Sequence, residues 1–277
     1  VKSSFGQILS QSRAFRRMSQ LDVALAASVS QRHVSFVESG RAQPSREMIL
    51  KLAAGLDLPL RARNDLFLAA GYAPVYAERS LDLAEMTSAR DALELILRRH
   101  EPYPAIVTDA GWGIVMQNAA VTRIVASCVE ADALRRLSSD GALNFMQLMF
   151  AADGLRPCIA NWPNTRAALL GRLRRETTTN PLSPSGRLLR ELDDGVSATN
   201  HVVDDPPIDP MLSLELRVGD ARVRLFSTFA TFGTPQDVTL QELRIDMSFP
   251  ADEPTRRWLE ASAGVDAALG RRATAEK

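Results

Sequence analysis

The sequence predicts two domains of different class: an all-α domain of five short helices in residues 1–72, and an α+β domain in residues 101–260 with an antiparallel sheet and covering helices. Three observations predict this. Apolar residues recur at three- and four-residue spacing through the N-terminal quarter, as on one face of a helix. Leu243 to Phe249 alternates apolar and polar residues, the period of a half-buried strand. A length of 277 residues gives room for two ordinary domains, and 45% hydrophobic with 24% charged residues marks a globular chain.

The first domain opens with a helix over residues 5–16, striped by Phe5, Ile8 and Leu9. Gln20 to Ser39 then reads as two short helices around a tight turn. Val23 and Ala24 share one face of the first, and Val34 and Val37 one face of the second. Ala24 is small where the two axes cross, and Val29 fills their angle. Ser30 is placed to cap the second helix, and Gly40 to end it in the left-handed conformation. Gln31, Arg32, Ser35 and Phe36 are left facing outward. Pro44-Ser45 opens a helix with Met48, Ile49, Leu52 and Leu56 inward. After the break at Asp57-Leu58-Pro59, residues 60–70 form another with Leu60, Leu66, Phe67 and Ala70 inward, closed by Gly71. Residues 73–100 form a linker and a bridging helix, Ser88 to Arg99, suited to a dimer contact.

In the second domain, Ala105–Thr108 and Ile114–Met116 read as strands around the turn at 109–113, and Asn118 caps the next helix. Asn144–Phe150 is a short helix apolar nearly all round, hence buried. Trp162 starts a long helix with Leu169, Leu170 and Leu173 inward and Arg166, Arg172, Arg174 and Arg175 on a solvated face. Residues 176–211 are expected to be loop apart from a helix near Ser185–Leu192. Strands follow at 212–218, 223–232 and 239–249, the first pair joined by a hairpin turn at Gly219-Asp220. In the last strand Leu243, Ile245, Met247 and Phe249 are assigned inward and Arg244, Asp246 and Ser248 outward. With the two early strands they make a five-stranded sheet. Residues 261–277 are expected to be a mobile tail.

Net charge is zero but unevenly spread. Residues 1–80 carry 11 basic and 6 acidic side chains, a net of +5, so the remainder carries −5. That asymmetry points to a polyanion partner for the first domain. No apolar run approaches the roughly 20 residues of a membrane span, so no membrane partner is expected. Cys128 and Cys158 follow no disulfide or metal spacing, which suits a reducing cytosol. His33, His100 and His201 lie far apart, and no phosphate loop, nucleophile elbow or metal-binding His pair occurs. These absences argue against an enzyme, a metal or a resident cofactor.

Met18-Ser19-Gln20, Val23-Ala24, Val34-Ser35, Val37-Glu38-Ser39-Gly40-Arg41 and Pro44-Ser45 together resemble the XRE-type, lambda-repressor-like helix-turn-helix domain, over about residues 4–70. Ser28 departs from the Gly that the family often has in the turn. The resemblance implies a double-stranded DNA operator, read by Gln31, Arg32 and Ser35 at base edges, with Phe36 on a thymine methyl. Gln20 and Arg41 take phosphate contacts, and Ser30, at the start of the reading helix, belongs to the same DNA-binding set. Arg13 and Glu38 are assigned to scaffolding as a pair. Dimerisation on a two-fold site would double the modest charge contact.

The strand, Gly-rich turn, strand and Asn-capped helix of the second domain resemble the opening of a PAS-like sensor. Glu101–Pro104, Gly154–Pro157, Asn161-Trp162 and Ser227–Glu242 look like the MmyB-like ligand-binding domain. That resemblance implies a transcriptional regulator of the bacterial cytosol whose sensor binds a small apolar, fatty-acid-like molecule. Trp112, Asn118, Phe145, Met149, Asn161, Trp162, Phe229 and Phe232 are the pocket candidates, with Arg156 and Arg166 near its mouth. The alternative is a protein-interaction regulator of antitoxin type without a small-molecule ligand.

Overall fold

The computed structural model describes residues 4–139, 141–179, 184–193 and 213–275. They fall into two units: residues 1–86 with 232–241, and residues 87–231 with 242–277.

The first unit holds α1 (Phe5–Phe15), α2 (Gln20–Ala26), α3 (Gln31–Glu38), α4 (Arg46–Gly55) and α5 (Leu60–Ala69). Each of the first four starts at a serine, Ser4, Ser19, Ser30 or Ser45, whose hydroxyl accepts from an amide three residues on. Each such cap stabilises its helix by about 1 kcal/mol relative to alanine. Leu9, Val23, Val34, Ile49, Leu52, Leu66 and Phe67 are fully buried between the helices. The α2–α3 turn runs through Ser28 at φ 53°, so the position favouring glycine is occupied by a strained serine. Gly40 ends α3 at φ 72°, as the sequence predicts. Gly6 lets α1 lie on the end of α3, where a Cβ would run into the Glu38 carbonyl.

The second unit begins with α6 (Thr87–His100), the helix expected to be a bridge. Then come β1 (Ala105–Thr108), β2 (Ile114–Gln117), α7 (Ala119–Cys128), α8 (Ala131–Leu137), β3 (Ser138–Ser139), β4 (Ala142–Leu143), α9 (Phe145–Phe150), α10 (Trp162–Thr179) and α11 (Pro184–Leu192). After β5 (Ser213–Val218) and β6 (Ala221–Ala230), the short helix α12 (Val238–Glu242) precedes β7 (Arg244–Pro250) and α13 (Glu253–Ala275). The main sheet has the order β2-β1-β7-β6-β5, with every neighbouring pair antiparallel. Ile124, Val125, Leu148, Met149, Leu216, Val223 and Leu225 form the core between this sheet and its helices.

Three expectations need correction. The last strand starts at Arg244, because residues 238–242 are helical and belong mostly to the first unit. The residues assigned to a mobile tail continue α13 as far as Ala275. Residues 176–179 complete α10 rather than opening a loop. The loop expected over residues 194–211 lies outside the described residues.

Candidate functional site

In the first unit the helix-turn-helix geometry is set by buried valines. Val23 and Ala24 of α2 face Val34 and Val37 of α3, and Val29 packs into the same core. A network at the far end of α3 fixes its orientation. Arg13 donates to both carboxylate oxygens of Glu38, at 2.7 and 3.1 Å, and to the Met18 carbonyl at 2.9 Å. Such a bidentate pair is both strong and directional. The Gln20 side-chain amide donates to the same carboxylate at 2.7 Å, so the side chain expected on phosphate is engaged with the scaffold. Gln31, Arg32 and Arg41 are exposed, and Ser35 and Phe36 half-buried. The Arg32 guanidinium lies 5.1 Å from the Phe36 ring centroid, so the two share one patch of α3. The Ser30 hydroxyl oxygen accepts from the His33 amide at 3.2 Å as its cap, with its proton left to donate.

In the second unit a cavity lies between the sheet and helices α9 and α10. Its inner part, about 90 Å³, is apolar except at Ser227, Asp246 and Ser248, with Ile106, Val125, Met149 and Leu216 among its walls. The outer part, about 380 Å³, adds Trp112, Thr165, Arg172, Arg175, Thr228 and Phe229. Phe145, Met149, Ser227 and Asp246 line both.

The strand register explains who reaches this cavity. Opposite residues of paired strands share a face. Ser227 lies opposite Ser248, and Phe229 opposite Asp246. Leu225 lies opposite Leu214, and Ile106 opposite Asp246. The β7 face assigned to solvent, Asp246 with Ser248, is therefore the cavity face. Alternation locates two faces but not which is wet, and this sheet carries helices against the face that reads as polar.

Charge at the outer cavity is organised by Glu176. One carboxylate oxygen takes Arg172 at 3.2 Å and Arg244 at 2.9 Å. The other takes the Trp112 indole N–H at 3.1 Å and the Ser185 hydroxyl at 2.8 Å. The Arg172 guanidinium lies 3.4 Å from the Phe229 ring centroid and 4.5 Å from that of Trp112. Desolvation lowers the Arg172 pKa, and Glu176 opposes that shift. Arg172 thus leaves the solvated face predicted for it and becomes part of the cavity wall. Asp246 differs from Glu176, because its Oδ1 is buried without a hydrogen-bond partner. Burial pushes its carboxyl up to about 6, against the opposing effects of Ser227 and Arg172.

The pocket candidates divide in two. Trp112, Phe145, Met149 and Phe229 line the cavity. Asn118, Asn161, Trp162 and Phe232 do not appear in its walls. Asn118 accepts from the amides of Ala105 and Val121 and donates to the carbonyls of Leu97 and Tyr103, so its polar atoms are spent on holding chain segments together. Asn161 donates to the Ser213 carbonyl and accepts from the Glu215 amide and the Thr165 hydroxyl, tying the start of α10 to β5. Trp162 packs edge-on against Phe150 with Arg156 over its ring at 5.4 Å, which also removes Arg156 from the mouth. Arg166 is likewise absent from the walls, whereas Arg172 and Arg175 supply the cavity's arginines. Phe232 belongs to the segment of the first unit.

Cys158 donates its thiol to the Cys128 carbonyl, and burial pushes the Cys128 thiol up to about 12, which leaves it unreactive. Among the described residues no three metal-binding side chains come together, and no helix is long and apolar enough to cross a membrane.

Residues 13–62 match a helix-turn-helix family, and residues 89–261, more than half of the chain, match the MmyB-like transcription regulator ligand binding domain. No curated protein matches. Among solved structures the chain is similar to one titled "Structure of an RNA-binding Light-Oxygen-Voltage Receptor", at 12% identity and a TM-score of 0.29, covering 96% of this chain and 66% of that one. So low a score carries no argument about fold or function. The chain thus joins a helix-turn-helix domain to a ligand-binding domain, and it belongs to the MmyB-like family of helix-turn-helix transcription regulators.

Proposed function

We propose that the protein is a homodimeric regulator that binds a double-stranded operator in the cytosol and does no catalysis. Its affinity for the operator is modulated by a small apolar, fatty-acid-like molecule in the cavity of the second unit. Gln31, Arg32 and Ser35 read base edges, Phe36 meets a thymine methyl, Ser30 and Arg41 contact phosphate, and Gln20 supports the reading helix through Glu38. A dimer doubles the contact made by a domain of net +5.

One observation carries the coupling of the two activities. Strands β6 and β7 bring Phe229 and Asp246 to the cavity, and residues 232–241, which join them, pack as part of the first unit. Within that unit Gln241 accepts from the Leu60 amide at 2.6 Å, at the start of α5. Buried Asp237 takes Arg79 at 3.0 Å, and the Val238 amide donates to the Ala77 carbonyl. A ligand that prefers one arrangement of the β6–β7 pair acts on α5 through this covalent segment, in proportion to that preference. The concave, largely apolar cavity favours this sensor reading over a protein-interaction role.

The test starts from operator duplexes selected out of random sequence, with affinity read by fluorescence anisotropy. Arg32→Ala is expected to cost about 1–3 kcal/mol at one base position and little elsewhere. Equal weakening on every duplex would remove Arg32 from base reading. Asp237→Ala is expected to leave unliganded affinity near wild type and abolish the response to decan-1-ol. A retained response would exclude this segment as the route.

A further inference from the structure

The cavity's polar lining carries a chemical requirement. An ionised carboxylate offers about four acceptor sites. Glu176 accepts from Arg172, the Trp112 indole and the Ser185 hydroxyl and forms an ion pair with Arg244, whose Nη1 is itself left without a hydrogen-bond partner. Asp246 lines both parts of the cavity, and its Oδ1 has no hydrogen-bond partner. The neighbouring hydroxyls of Ser227 and Ser248 are paired with each other at 3.0 Å. Removing a carboxylate from water without a donor is costly, and a ligand that supplies the donor recovers that cost.

We propose that the ligand is an apolar chain bearing a neutral hydroxyl, which donates its hydrogen bond to Asp246. This rests on the sensor reading above, keeps the apolar chain of its fatty-acid-like ligand and puts a neutral hydroxyl in place of the carboxylate. Three headgroups differ in what they bring to Asp246. An ionised carboxylate can pair with Arg172 or Arg175 but brings no donor to Asp246 and repels it. An ammonium brings donors but enters a site whose lining carries Arg172 and Arg175, with Arg244 close by on Glu176. A hydroxyl donates without adding charge. The apolar chain has Ile106, Val125, Met149, Leu214, Leu216 and Leu225 to lie against.

The experiment titrates the full-length protein with decan-1-ol, decanoate and decylamine at about pH 7.5, followed by tryptophan fluorescence, since Trp112 lines the cavity. Decan-1-ol is expected to bind about tenfold more tightly than either charged chain, the scale of one hydrogen bond to a charged group. In Asp246→Asn, whose amide can donate to a carboxylate, that preference over decanoate is expected to fall below about threefold. A wild-type preference for decanoate or decylamine overturns the proposal, as does an unchanged preference in Asp246→Asn. Equal binding of all three also overturns it but leaves the apolar-ligand reading standing. Binding of none overturns both.

Discussion

Replacing Asp246 by asparagine should stabilise the second unit, and increasingly so as pH rises. Folding lifts the Asp246 pKa from 3.8 to about 6, with burial as the largest cause. A difference of that size favours the protonated form by about 3 kcal/mol. Between the two values the folded chain holds more protons than the unfolded one. Stability therefore falls as pH rises through this window and levels off above the folded value. Asparagine has no charge to acquire, so the variant escapes the loss. Between about pH 5 and pH 7.5 the wild type should lose roughly 1.5 kcal/mol that Asp246→Asn does not. Urea unfolding followed by tryptophan fluorescence reads this cleanly. The chain's three tryptophans, Trp112, Trp162 and Trp258, all lie in the second unit. Comparing the two pH values also cancels any pH-independent cost of packing the new amide. A stability difference between wild type and variant that is the same at both would refute a buried charge at this position.

Arg13→Ala should destabilise the first unit by about 3 kcal/mol, because it strips the main partner from Glu38, whose side chain is only 7% exposed. Circular dichroism should show the earlier melting while tryptophan fluorescence does not; coincident shifts would contradict a local effect. Asn161→Ala leaves the Ser213 carbonyl and the Glu215 amide without their partner and should cost about 3 kcal/mol in the second unit. Decan-1-ol affinity of the folded variant should stay within about twofold of wild type, and a larger loss would return Asn161 to the binding site.

The first domain was legible almost residue by residue because its signals are local. Serine caps, a glycine after α3 and valines at helical spacing each act within a few positions, and all appear where the sequence puts them. The Arg13–Glu38 pair, 25 residues apart, came from the family resemblance and not from spacing. Gln20 shows the limit of that approach. Its position at the start of α2 suggests phosphate, but its partner is set by the end of another helix. Asn118 and Asn161 show a second limit. A polar amide within a core must find partners, and both find them within the chain, mostly on its backbone, rather than on a ligand.

Arg172, Glu176 and Asp246 were illegible for a physical reason. A charged residue in a helix or on an alternating strand reads as solvent-facing because most such residues are, and the rule fails where a cavity is dressed with polar groups. Glu176 lies one helical turn from Arg172, a spacing that reads as an ordinary surface pair, and meets Arg244 from a different element, so nothing local marks either arginine as partly buried. The alternation in Leu243–Phe249 was read correctly as a strand and wrongly as to its faces. Leu243 and Ile245 are buried on one side, yet Asp246 on the other lines the cavity, because both faces of β7 are partly covered. The residue that broke the pattern is the one left with an unpaired oxygen. Among the described residues the buried side-chain atoms left without a partner are Asp246 Oδ1 and nitrogens of His33, Arg224 and Arg244, and the one that lines the cavity is where chemistry from outside the chain is expected. The same charge that lowers stability above the folded pKa of Asp246 thus gives the cavity its preference for a donor, and a bound hydroxyl would relieve in the complex what the free protein tolerates.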